Sequence, residues 1–406
     1  MSRFRPVDDI PANSRVLVRL DLNSPIEGGQ PQDNRRFERH AETVRDLAAA
    51  GHRVVCMAHQ GRPGRDDFTH LDGHADILAS YLDRDVQFVA DTAGDEALAA
   101  VRDLDAGDVV LLDNVRMNDD ELPEKEPVAH ADSEFVRTLA PAVDAYVNDA
   151  YSAAHRKHAS LVGFPLELPA YAGRVMVAEY EANTAIATRE FDGDVCMVVG
   201  GTKATDVIGV MESLGETVEE FLLGGVAGEL FLRAAGHPVG EDVAGTDRFD
   251  EQWADNADVV RDVLAAYGDR VRLPTDLSYE TADGDRGEVA VDDIDAKERP
   301  YLDVGSDTAA DYAARVRDAD AVFVKGALGV FEDERFSHGT VTVLEAVAET
   351  DCFSVVGGGD TSRAIELYGD DMSEADFSHV SIAGGAYIRA LTGEPLPAVE
   401  VLDEAA

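Results

Sequence analysis

The segment Val195–Asp206, VCMVVGGTKATD, decides how the rest of the chain is interpreted. An apolar run ends at Gly200-Gly201, and Thr202 and Lys203 follow at once. The apolar spacing after that is helical, so the segment predicts a strand, a glycine turn and a helix. Backbone N–H groups at a helix start, together with a lysine, suit an anion such as phosphate. The same residues also fit an ordinary turn between a strand and a helix, and the spacing of a Walker A loop is absent.

Length and composition indicate a globular protein of two domains. The chain has 406 residues, which is longer than a domain with a single hydrophobic core usually is. Hydrophobic residues make up 45% of it, enough for packed cores. No apolar run approaches the roughly 20 residues that cross a bilayer, and residues 1–14 lack the apolar stretch of a signal peptide. We therefore expect a cytoplasmic protein without a membrane partner. Three cysteines in or beside apolar runs predict buried thiols rather than a metal site or disulfides: Cys56, Cys196 and Cys352.

The charge balance is extreme, with 81 acidic against 35 basic residues and a net charge of -46. Regular apolar runs argue against disorder, which is the usual interpretation of such charge. Acidic residues spread along the whole chain instead suit a salt-rich cytoplasm, where ions screen their mutual repulsion. A nucleic-acid partner is not expected, because no basic face is available to meet phosphates.

Strand and helix patterns alternate in the first half of the chain. Strand-like segments cover 14–20, 52–59, 108–114 and 144–150, and helical segments cover 35–47, 73–82, 94–103 and 130–140. This alternation predicts a parallel sheet covered by helices on both faces. Ligands of such sheets bind beyond the carboxyl ends of the strands.

Four arginines fall at that edge of the predicted sheet. Arg36 starts a helix, whereas Arg62, Arg116 and Arg156 follow strand ends. Any one of them could pair with a nearby acid on the surface. Together they predict a pocket for a small, multiply anionic ligand, because guanidinium groups match phosphate and carboxylate.

The second half repeats the pattern. Residues 160–173 are rich in Pro and Gly and fit a domain boundary, and a helix from Arg174 to about Glu190 would bridge two lobes. Strand-and-helix segments follow at 221–236, 271–278, 321–332, 352–365 and 380–391. Glycine pairs or triplets directly after strands suggest a ligand lying against bare backbone. After the triplet, Asp360 could hold magnesium beside phosphate oxygens or merely cap a helix.

Ten motifs in the same order make nearly the whole chain resemble the phosphoglycerate kinase family. They are VRLDLNSP (18–25), HQGRPG (59–64), LLDNVR (111–116), YVNDAYSAAHR (146–156), LVGFP (161–165), VVGGTKATD (198–206), LPTDL (273–277), KGALGVFE (325–332), VVGGGDT (355–361) and SIAGGA (381–386). The resemblance implies an α/β fold with two Rossmann-like, doubly wound parallel-sheet domains joined by a hinge helix. It implies a 3-phosphoglycerate domain at 1–173, a hinge helix at 174–190, a nucleotide domain at 191–385 and a segment returning to the first domain at 386–406.

The resemblance also implies a reaction, in which the acyl phosphate of 1,3-bisphosphoglycerate passes to ADP and gives 3-phosphoglycerate and ATP. These small molecules would be its partners, Mg²⁺ its cofactor, and we expect a monomer. On the substrate side, Asp21 and Asn23, which alone could merely cap a turn, would hold the glycerate, and Arg36 the moving phosphate. The 3-phosphate would be bound by His59, Arg62, Arg116 and Arg156. Implied nucleotide-side residues are Gly201, Lys203 and Lys325, Glu332 at the ribose, and Gly358, Gly359, Asp360 and Thr361 at the phosphates, with Asp360 also at the metal. Arg36 and Lys203 would be catalytic.

Some positions depart from the family pattern. Val207 stands where the family often has a second lysine, and Lys325 stands where many members carry asparagine. We hypothesise that Lys325 supplies part of the missing charge. Gln60 and Ala327 are interpreted as neutral variation, while Ala383 replaces a glycine and weakens the assignment of the adenine side.

Two other functions were weighed: a non-catalytic nucleotide-binding regulator and a Rossmann-type dehydrogenase. The presence of Arg36, Lys203 and Asp360 argues against the regulator. A dehydrogenase would require the motif GxGxxG after a strand, and the sequence has no such motif there. The carboxylate acceptor of the reverse reaction is already ionised, so a site of cations without a general base fits the kinase. Catalysis would then come from positioning, from charge neutralisation and from domain closure that excludes water.

Overall fold

The computed structural model describes residues 3–201, 203–240, 247–294, 300–369 and 372–405. Internal contacts divide the chain into two compact units, which are Met1–Glu181 with Pro395–Ala406 (unit 1) and Ala182–Glu394 (unit 2). Within the described ranges, no helix is both long and apolar enough to span a bilayer.

The described part of unit 1 contains eight strands, and six α-helices precede the long helix that leaves the unit. The strands are β1 (Arg15–Arg19), β2 (Ile26–Glu27), β3 (Gln30–Pro31), β4 (Arg53–Met57), β5 (Val86–Val89), β6 (Val109–Leu112), β7 (Ala145–Asn148) and β8 (Ala170–Ala172). The helices are α1 (Arg35–Ala49), α2 (Asp72–Leu82), α3 (Asp95–Asp103), α4 (Pro127–Ala131), α5 (Glu134–Leu139) and α6 (Ala159–Val162). Six strands form one parallel sheet in the order β5-β6-β4-β1-β7-β8, and β2 and β3 form a separate hairpin.

The central strands of this sheet are apolar along their length because both faces are covered. Val16, Leu17 and Val18 of β1 are fully buried, as is the whole of β6. Helix α1 begins where the Asn34 side chain accepts a hydrogen bond from the Arg36 N–H at 3.0 Å. This cap fixes Arg36 in the first turn of the helix.

Two features of unit 1 differ from the sequence-based expectation. The single helix predicted over 130–140 is wrong, because the chain interrupts it and starts again as α5. There Ser133 is extended and its hydroxyl accepts from the Val136 N–H at 3.3 Å. Residues 160–173, which fitted a boundary, contain α6 and β8, and β8 pairs with β7 inside the sheet.

Helix α7 (Arg174–Thr188) begins in unit 1 and ends in unit 2. The carboxylate of Asp149 accepts hydrogen bonds from the first N–H groups of this helix, at 2.9 Å from Val175 and 3.4 Å from Met176. A negative charge at this end is stabilised by the helix dipole. The role of α7 as a hinge stays a prediction.

In the described ranges of unit 2 there are nine strands and seven α-helices. The strands are β9 (Val195–Val199), β10 (Glu220–Leu223), β11 (Val271–Arg272), β12 (Asp276–Glu280), β13 (Arg286–Ala290), β14 (Asp303–Val304), β15 (Ala321–Lys325), β16 (Phe353–Gly357) and β17 (His379–Val380). The helices are α8 (Ala204–Leu214), α9 (Gly225–Ala234), α10 (Asp247–Tyr267), α11 (Ser306–Asp318), α12 (His338–Ala348), α13 (Gly359–Leu367) and α14 (Gly385–Leu391). The last helix, α15 (Pro397–Glu404), belongs to unit 1, where the Ala398 N–H donates to the Ala154 carbonyl at 3.1 Å.

The main sheet of unit 2 is parallel, in the order β11-β10-β9-β15-β16-β17, and a smaller antiparallel sheet has the order β13-β12-β14. The prediction of two parallel-sheet α/β domains is confirmed. The single strand predicted within 271–278 is wrong, because the segment divides into β11 and β12 of different sheets. Pro274 lies between them and has no N–H to continue a ladder.

Candidate active site

In unit 1, four arginines and one histidine gather at the carboxyl ends of four neighbouring strands, in the order β6-β4-β1-β7. Arg19 ends β1, His59 and Arg62 follow β4, Arg116 lies in a short 3₁₀ helix after β6, and Arg156 follows β7. The sheet therefore brings together the residues that the sequence placed at its edge, apart from Arg36, which the start of α1 supplies.

The arginines of this group act on one another electrostatically. Burial, and after it the charges of Arg156, Arg19 and Arg62, lower the pKa of Arg116 to about 10, although Glu121 acts in the opposite direction. The pKa of Arg156 is lowered in the same way, by burial and then by Arg62. Arg116 donates one hydrogen bond to the Gly61 carbonyl, but its Nε has no partner among the described residues. Positive charge that is not neutralised locally is what an anion-binding pocket requires.

Arg19 is a member of this group that sequence reasoning missed. It is only 1% exposed, and its guanidinium donates to the His59 Nδ1 at 3.1 Å and the Ser160 hydroxyl at 2.8 Å. Because an arginine can only donate, His59 Nδ1 accepts and the ring proton lies on Nε2. Burial, aided by the cations of the group, holds the pKa of His59 well below its ordinary value, so the ring is neutral near pH 7. The local sequence does not single Arg19 out, because β1 has an arginine at each end.

A buried carboxylate, Glu121, offsets the charge of Arg19, and no motif in the sequence pointed to it. Glu121 is fully buried and accepts from both the N–H and the hydroxyl of Ser160 at 2.8 Å. Burial alone would raise the pKa of Glu121, but the contacts with His158, Arg19 and Ser160 outweigh it and lower the pKa. His158 Nδ1 lies 3.5 Å from the carboxylate. The network holds Arg19, and through it His59, in one position.

Asp21, Asn23 and Arg36 form the remaining part of the unit 1 site. Arg36 donates to the Asp21 carboxylate at 2.7 Å and keeps about a quarter of its side chain exposed. Burial would raise the pKa of Asp21, but the Arg36 guanidinium and the hydrogen bond from the Ser152 hydroxyl outweigh it and hold the pKa well below its usual range. Asn23 accepts the Gly61 N–H at 2.9 Å. All three predicted side chains therefore lie beside the loop that carries His59 and Arg62.

Gln60 has a defined structural role in that loop, which the interpretation as neutral variation did not foresee. Its amide oxygen accepts from the Ser24 N–H at 2.8 Å, and its amide nitrogen donates to the carbonyls of Ser24 and Asp67 at 2.9 and 3.0 Å. Gly61 follows with φ +60°, and a Cβ there would lie 2.3 Å from the Asp67 carbonyl oxygen. The glutamine and the glycine together fix the loop between β4 and α2.

In unit 2, the turn Gly200-Gly201 after β9 holds two chain segments together, whereas the sequence suggested that its N–H groups bind an anion. The N–H of Gly200 donates to the Lys325 carbonyl and that of Gly201 to the Ala327 carbonyl, both at 2.8 Å. These two donors are therefore not available to a phosphate. A Cβ on Gly200 would lie 2.1 Å from the Ala327 carbonyl oxygen, so glycine is needed here for the close approach of two chain segments.

The two lysines of unit 2 lie beside this turn. Lys203 is exposed at the N-cap of α8, and the preceding Thr202 lies outside the described residues. Lys325 ends β15, and a Cβ on Gly201 would come within 3.9 Å of its Nζ. Val207, in place of the family's second lysine, is fully buried in the core.

The glycine triplet after β16 leads into helix α13. Gly358 has φ +109°, and Gly359 and Asp360 are exposed in the first turn, where helix N–H groups lack partners within the helix. The Thr361 hydroxyl is buried and donates to the Gly357 carbonyl at 2.7 Å, so Thr361 can offer a ligand only its N–H. This helix start suits phosphate groups.

Asp360 is suited to a metal held jointly with a ligand. No cluster of three His, Cys, Asp or Glu side chains that could hold a metal occurs in the described part of the chain. Mg²⁺ commonly takes one or two carboxylates and completes its shell with phosphate oxygens and water. An exposed carboxylate next to a phosphate-binding helix start fits that coordination.

An open groove of about 690 Å³ lies in unit 2, walled by the turns after β9, β10 and β15. Of the predicted nucleotide residues, it brings together Gly201, Glu332 and Asp360. The others are not among the described residues that line it; these are Lys203, Lys325, Gly358, Gly359 and Thr361. Glycine backbone and apolar side chains make up most of its lining, as in many small-molecule sites.

Comparisons with known proteins identify the family. A family model described as phosphoglycerate kinase matches residues 7–394. The phosphoglycerate kinase of Halorubrum lacusprofundi is 76% identical over 406 residues, which cover 100% of this chain and 99% of that one. That of Haloarcula marismortui is 64% identical over 399 residues, with 98% and 99% covered. The crystal structure of phosphoglycerate kinase from Pyrococcus horikoshii OT3 superimposes with a TM-score of 0.91 at 30% identity, covering 99% of each chain.

Proposed function

Because the chain belongs to the phosphoglycerate kinase family, we infer that it transfers the acyl phosphate of 1,3-bisphosphoglycerate to ADP, giving 3-phosphoglycerate and ATP. The reaction is reversible and belongs to glycolysis and gluconeogenesis. The observation that carries the inference, beside family membership, is the cluster of Arg62, Arg116 and Arg156 at one edge of the unit 1 sheet, where neighbouring arginines lower the pKa of Arg116 and of Arg156. The net charge of -46 and the relatives from Halorubrum and Haloarcula support work in a salt-rich cytoplasm.

In this proposal, unit 1 binds 3-phosphoglycerate. Arg62, Arg116 and Arg156 bind the 3-phosphate, and the neutral His59 donates from Nε2. A dianionic phosphate would relieve the mutual repulsion that lowers the pKa of Arg116 and Arg156. Asp21 and Asn23 hold the glycerate part.

Unit 2 binds the nucleotide in its groove. Glu332 binds the ribose, and the first turn of α13, from Gly358 to Thr361, binds the phosphates. Mg²⁺, held by Asp360 and the nucleotide, would offset phosphate charge. Lys203 and Lys325 supply the positive charge near the terminal phosphates. Lys325 takes the place of the second lysine that the family often has at the position of Val207.

The chemistry requires no general base, because the carboxylate that receives phosphate in the reverse direction is already ionised. Arg36 neutralises charge on the moving phosphoryl group from unit 1, and Lys203 does so from unit 2. We propose that bound substrates bring the two units together about α7, which would also exclude water from the acyl phosphate.

A coupled assay for ATP formed from ADP and 1,3-bisphosphoglycerate, in concentrated KCl, tests this function. ATP formation that requires both substrates and Mg²⁺ is the expected result. Nucleotide binding without any turnover would instead indicate a regulator on the same fold. Arg36→Ala should abolish most turnover, whereas Arg45→Ala, an exposed residue of the same helix, should keep it.

A further inference from the structure

The motif LLDNVR (111–116) supplies Arg116 to the 3-phosphate site, but its asparagine, Asn114, makes a separate set of contacts. Asn114 follows β6 and is fully buried. Its Nδ2 donates to the carbonyls of Gln60 and Thr69, at 2.8 and 2.9 Å. Its Oδ1 accepts from the N–H groups of Gln60 and Arg116, at 3.3 and 3.1 Å. The side-chain amide therefore joins Arg116 to the loop between β4 and α2 and uses both of its donors and both of its acceptor positions.

Two consecutive residues of that loop, the Gln60-Gly61 dipeptide, have all four of their backbone polar groups bound by side chains. Asn114 binds the N–H and the carbonyl of Gln60. Asn23 accepts from the Gly61 N–H at 2.9 Å, and Arg116 donates to the Gly61 carbonyl. The dipeptide is thus fastened to the glycerate side of the site by Asn23 and to the 3-phosphate side by Asn114 and Arg116.

The residues on either side of the dipeptide are two of those that we assign to the 3-phosphate. His59 directly precedes it and Arg62 directly follows it. The far end of the loop is held by the neighbour of Asn114, since the Leu71 N–H donates to the Asp113 carboxylate at 3.2 Å. The distance between the phosphate-binding groups and the glycerate-binding groups therefore depends on where the dipeptide lies.

A fixed distance of this kind can distinguish two ligands that charge cannot. In 2-phosphoglycerate the phosphate is attached one carbon–carbon bond, about 1.5 Å, nearer to the carboxylate than in 3-phosphoglycerate. The two isomers carry the same charged groups, so a flexible cluster of arginines would attract both alike. A rigid site can place its cations correctly for only one of them.

We propose that Asn114 is a positioning residue that sets this distance and thereby makes unit 1 select 3-phosphoglycerate over 2-phosphoglycerate. The proposal rests on the function proposed above, which places 3-phosphoglycerate in unit 1. Asn114 acts through the dipeptide and Arg116 rather than by touching the substrate, because its amide is fully engaged by the loop.

Calorimetric titration of the whole protein with each isomer, at pH about 7 in concentrated KCl, tests the proposal. The wild type should bind 3-phosphoglycerate on the order of 100-fold more tightly, since a misplacement of about 1 Å can cost that much. Asn114→Ala removes all four hydrogen bonds and should reduce this preference at least about tenfold. A loss of stability alone would lower Tm and leave the preference unchanged.

Asn118→Ala is the matched control. Asn118 follows the same strand, but it is half-buried and its Nδ2 donates to the Thr92 hydroxyl at 3.2 Å instead of to the loop. Its preference should stay within about twofold of the wild type. Asn114→Asp is a second variant that keeps the size and the acceptor oxygen but loses both donated bonds. The added charge acts alike on two equally charged isomers, so the preference should fall in this variant too.

An unchanged preference in either Asn114 variant, or a wild type without a preference, overturns the proposal while the kinase function stands. The amide hydrogens of Gln60 and Gly61 in the wild type should also exchange slowly with solvent before any substrate is added. Exchange at the rate of an open loop overturns the proposal even if both variants fail to fold. If the wild type binds neither isomer, the proposed function fails and this inference fails with it.

Discussion

Replacing Glu121 by glutamine should destabilise unit 1 although the side chain keeps its size and shape. The carboxylate accepts two hydrogen bonds from Ser160 at 2.8 Å, and the Ser160 hydroxyl in turn accepts from Arg19 at 2.8 Å. The amide oxygen of a glutamine can keep one of the two bonds. Its NH₂ group would face a hydroxyl that already accepts from Arg19, so that hydroxyl would lose its own acceptor.

The size of the effect follows from burial. Glu121 is fully buried and Arg19 is 1% exposed, so the arginine would lose a buried countercharge that is connected to it through Ser160. Breaking a buried charge pair by removing one partner costs about 3–5 kcal/mol. Because glutamine keeps one bond and leaves no cavity, we expect the lower end, about 3 kcal/mol, which is a fall in Tm of about 6–12 °C for a unit of this size.

Thermal unfolding in concentrated KCl at pH about 7, followed by circular dichroism, measures the fall in Tm, and unfolding by a denaturant measures the loss of free energy of unfolding. The single tryptophan, Trp253, lies in α10 of unit 2 and reports on that unit separately. Glu124→Gln is the matched control, because Glu124 is exposed and a surface change of this kind stays within about 0.5 kcal/mol. Coincident curves for Glu121→Gln and the wild type would refute the argument.

The pH dependence provides a second check with a defined sign. The folded-state pKa of Glu121 is lowered from 4.5, since its contacts outweigh burial, so its contribution is present above the unfolded value. That contribution is lost as the pH falls through the lower folded pKa. The difference in free energy of unfolding between the wild type and Glu121→Gln should therefore decrease as the pH falls below 4.5. A difference that increases there would contradict a stabilising, ionised Glu121.

Three further outcomes are expected. Arg36→Ala should lower kcat about 100- to 1,000-fold, the cost of removing one transition-state donor, whereas Arg62→Ala should mainly raise KM for 3-phosphoglycerate; equal changes in kcat and KM in both variants would contradict these roles. Lys325→Asn should weaken nucleotide binding while Lys125→Asn leaves it unchanged, and intact affinity in both would remove Lys325 from the site. Dilution from about 3 M to about 0.1 M KCl should lower Tm, because the screening length grows from about 3 Å or less to about 10 Å and acidic groups repel one another; an unchanged melt would exclude the salt-rich interpretation.

The fold could be predicted where the sequence pattern is local and strong. β1, β4, β6 and β7 are continuous apolar runs between turn residues, as buried parallel strands require. The antiparallel sheet of β12, β13 and β14 was missed because its strands are short and partly polar, and β14 has only two residues. Helix α10 was missed because most of Asp247–Tyr267 is charged or exposed and only a few apolar residues, such as Phe249 and Val260, are buried.

The site residues also fall into those that a local sequence pattern identifies and those that it does not. Arg62, Arg116 and Arg156 could be found because each follows a strand end, and strand ends of a parallel sheet meet at one edge. Arg19 and Glu121 could not, because their roles depend on contacts across 141 residues between Arg19 and Ser160 and 39 between Ser160 and Glu121. No local pattern distinguishes a buried, paired glutamate from the many solvated acids of this chain.

The glycine turn after β9 shows why residue type alone leaves two interpretations open. A glycine pair after a strand can expose N–H donors to an anion, or it can permit two backbones to approach closely. Here the second applies, because both N–H groups donate to carbonyls of the segment after β15. In the proposed function, phosphate binding in unit 2 would then depend on the start of α13 and on side-chain cations. Val207 is buried in the core, and the lysines that the described ranges place near that turn are Lys203 and Lys325. Because the turn itself offers no free N–H groups, we expect the loss of either lysine to weaken nucleotide binding.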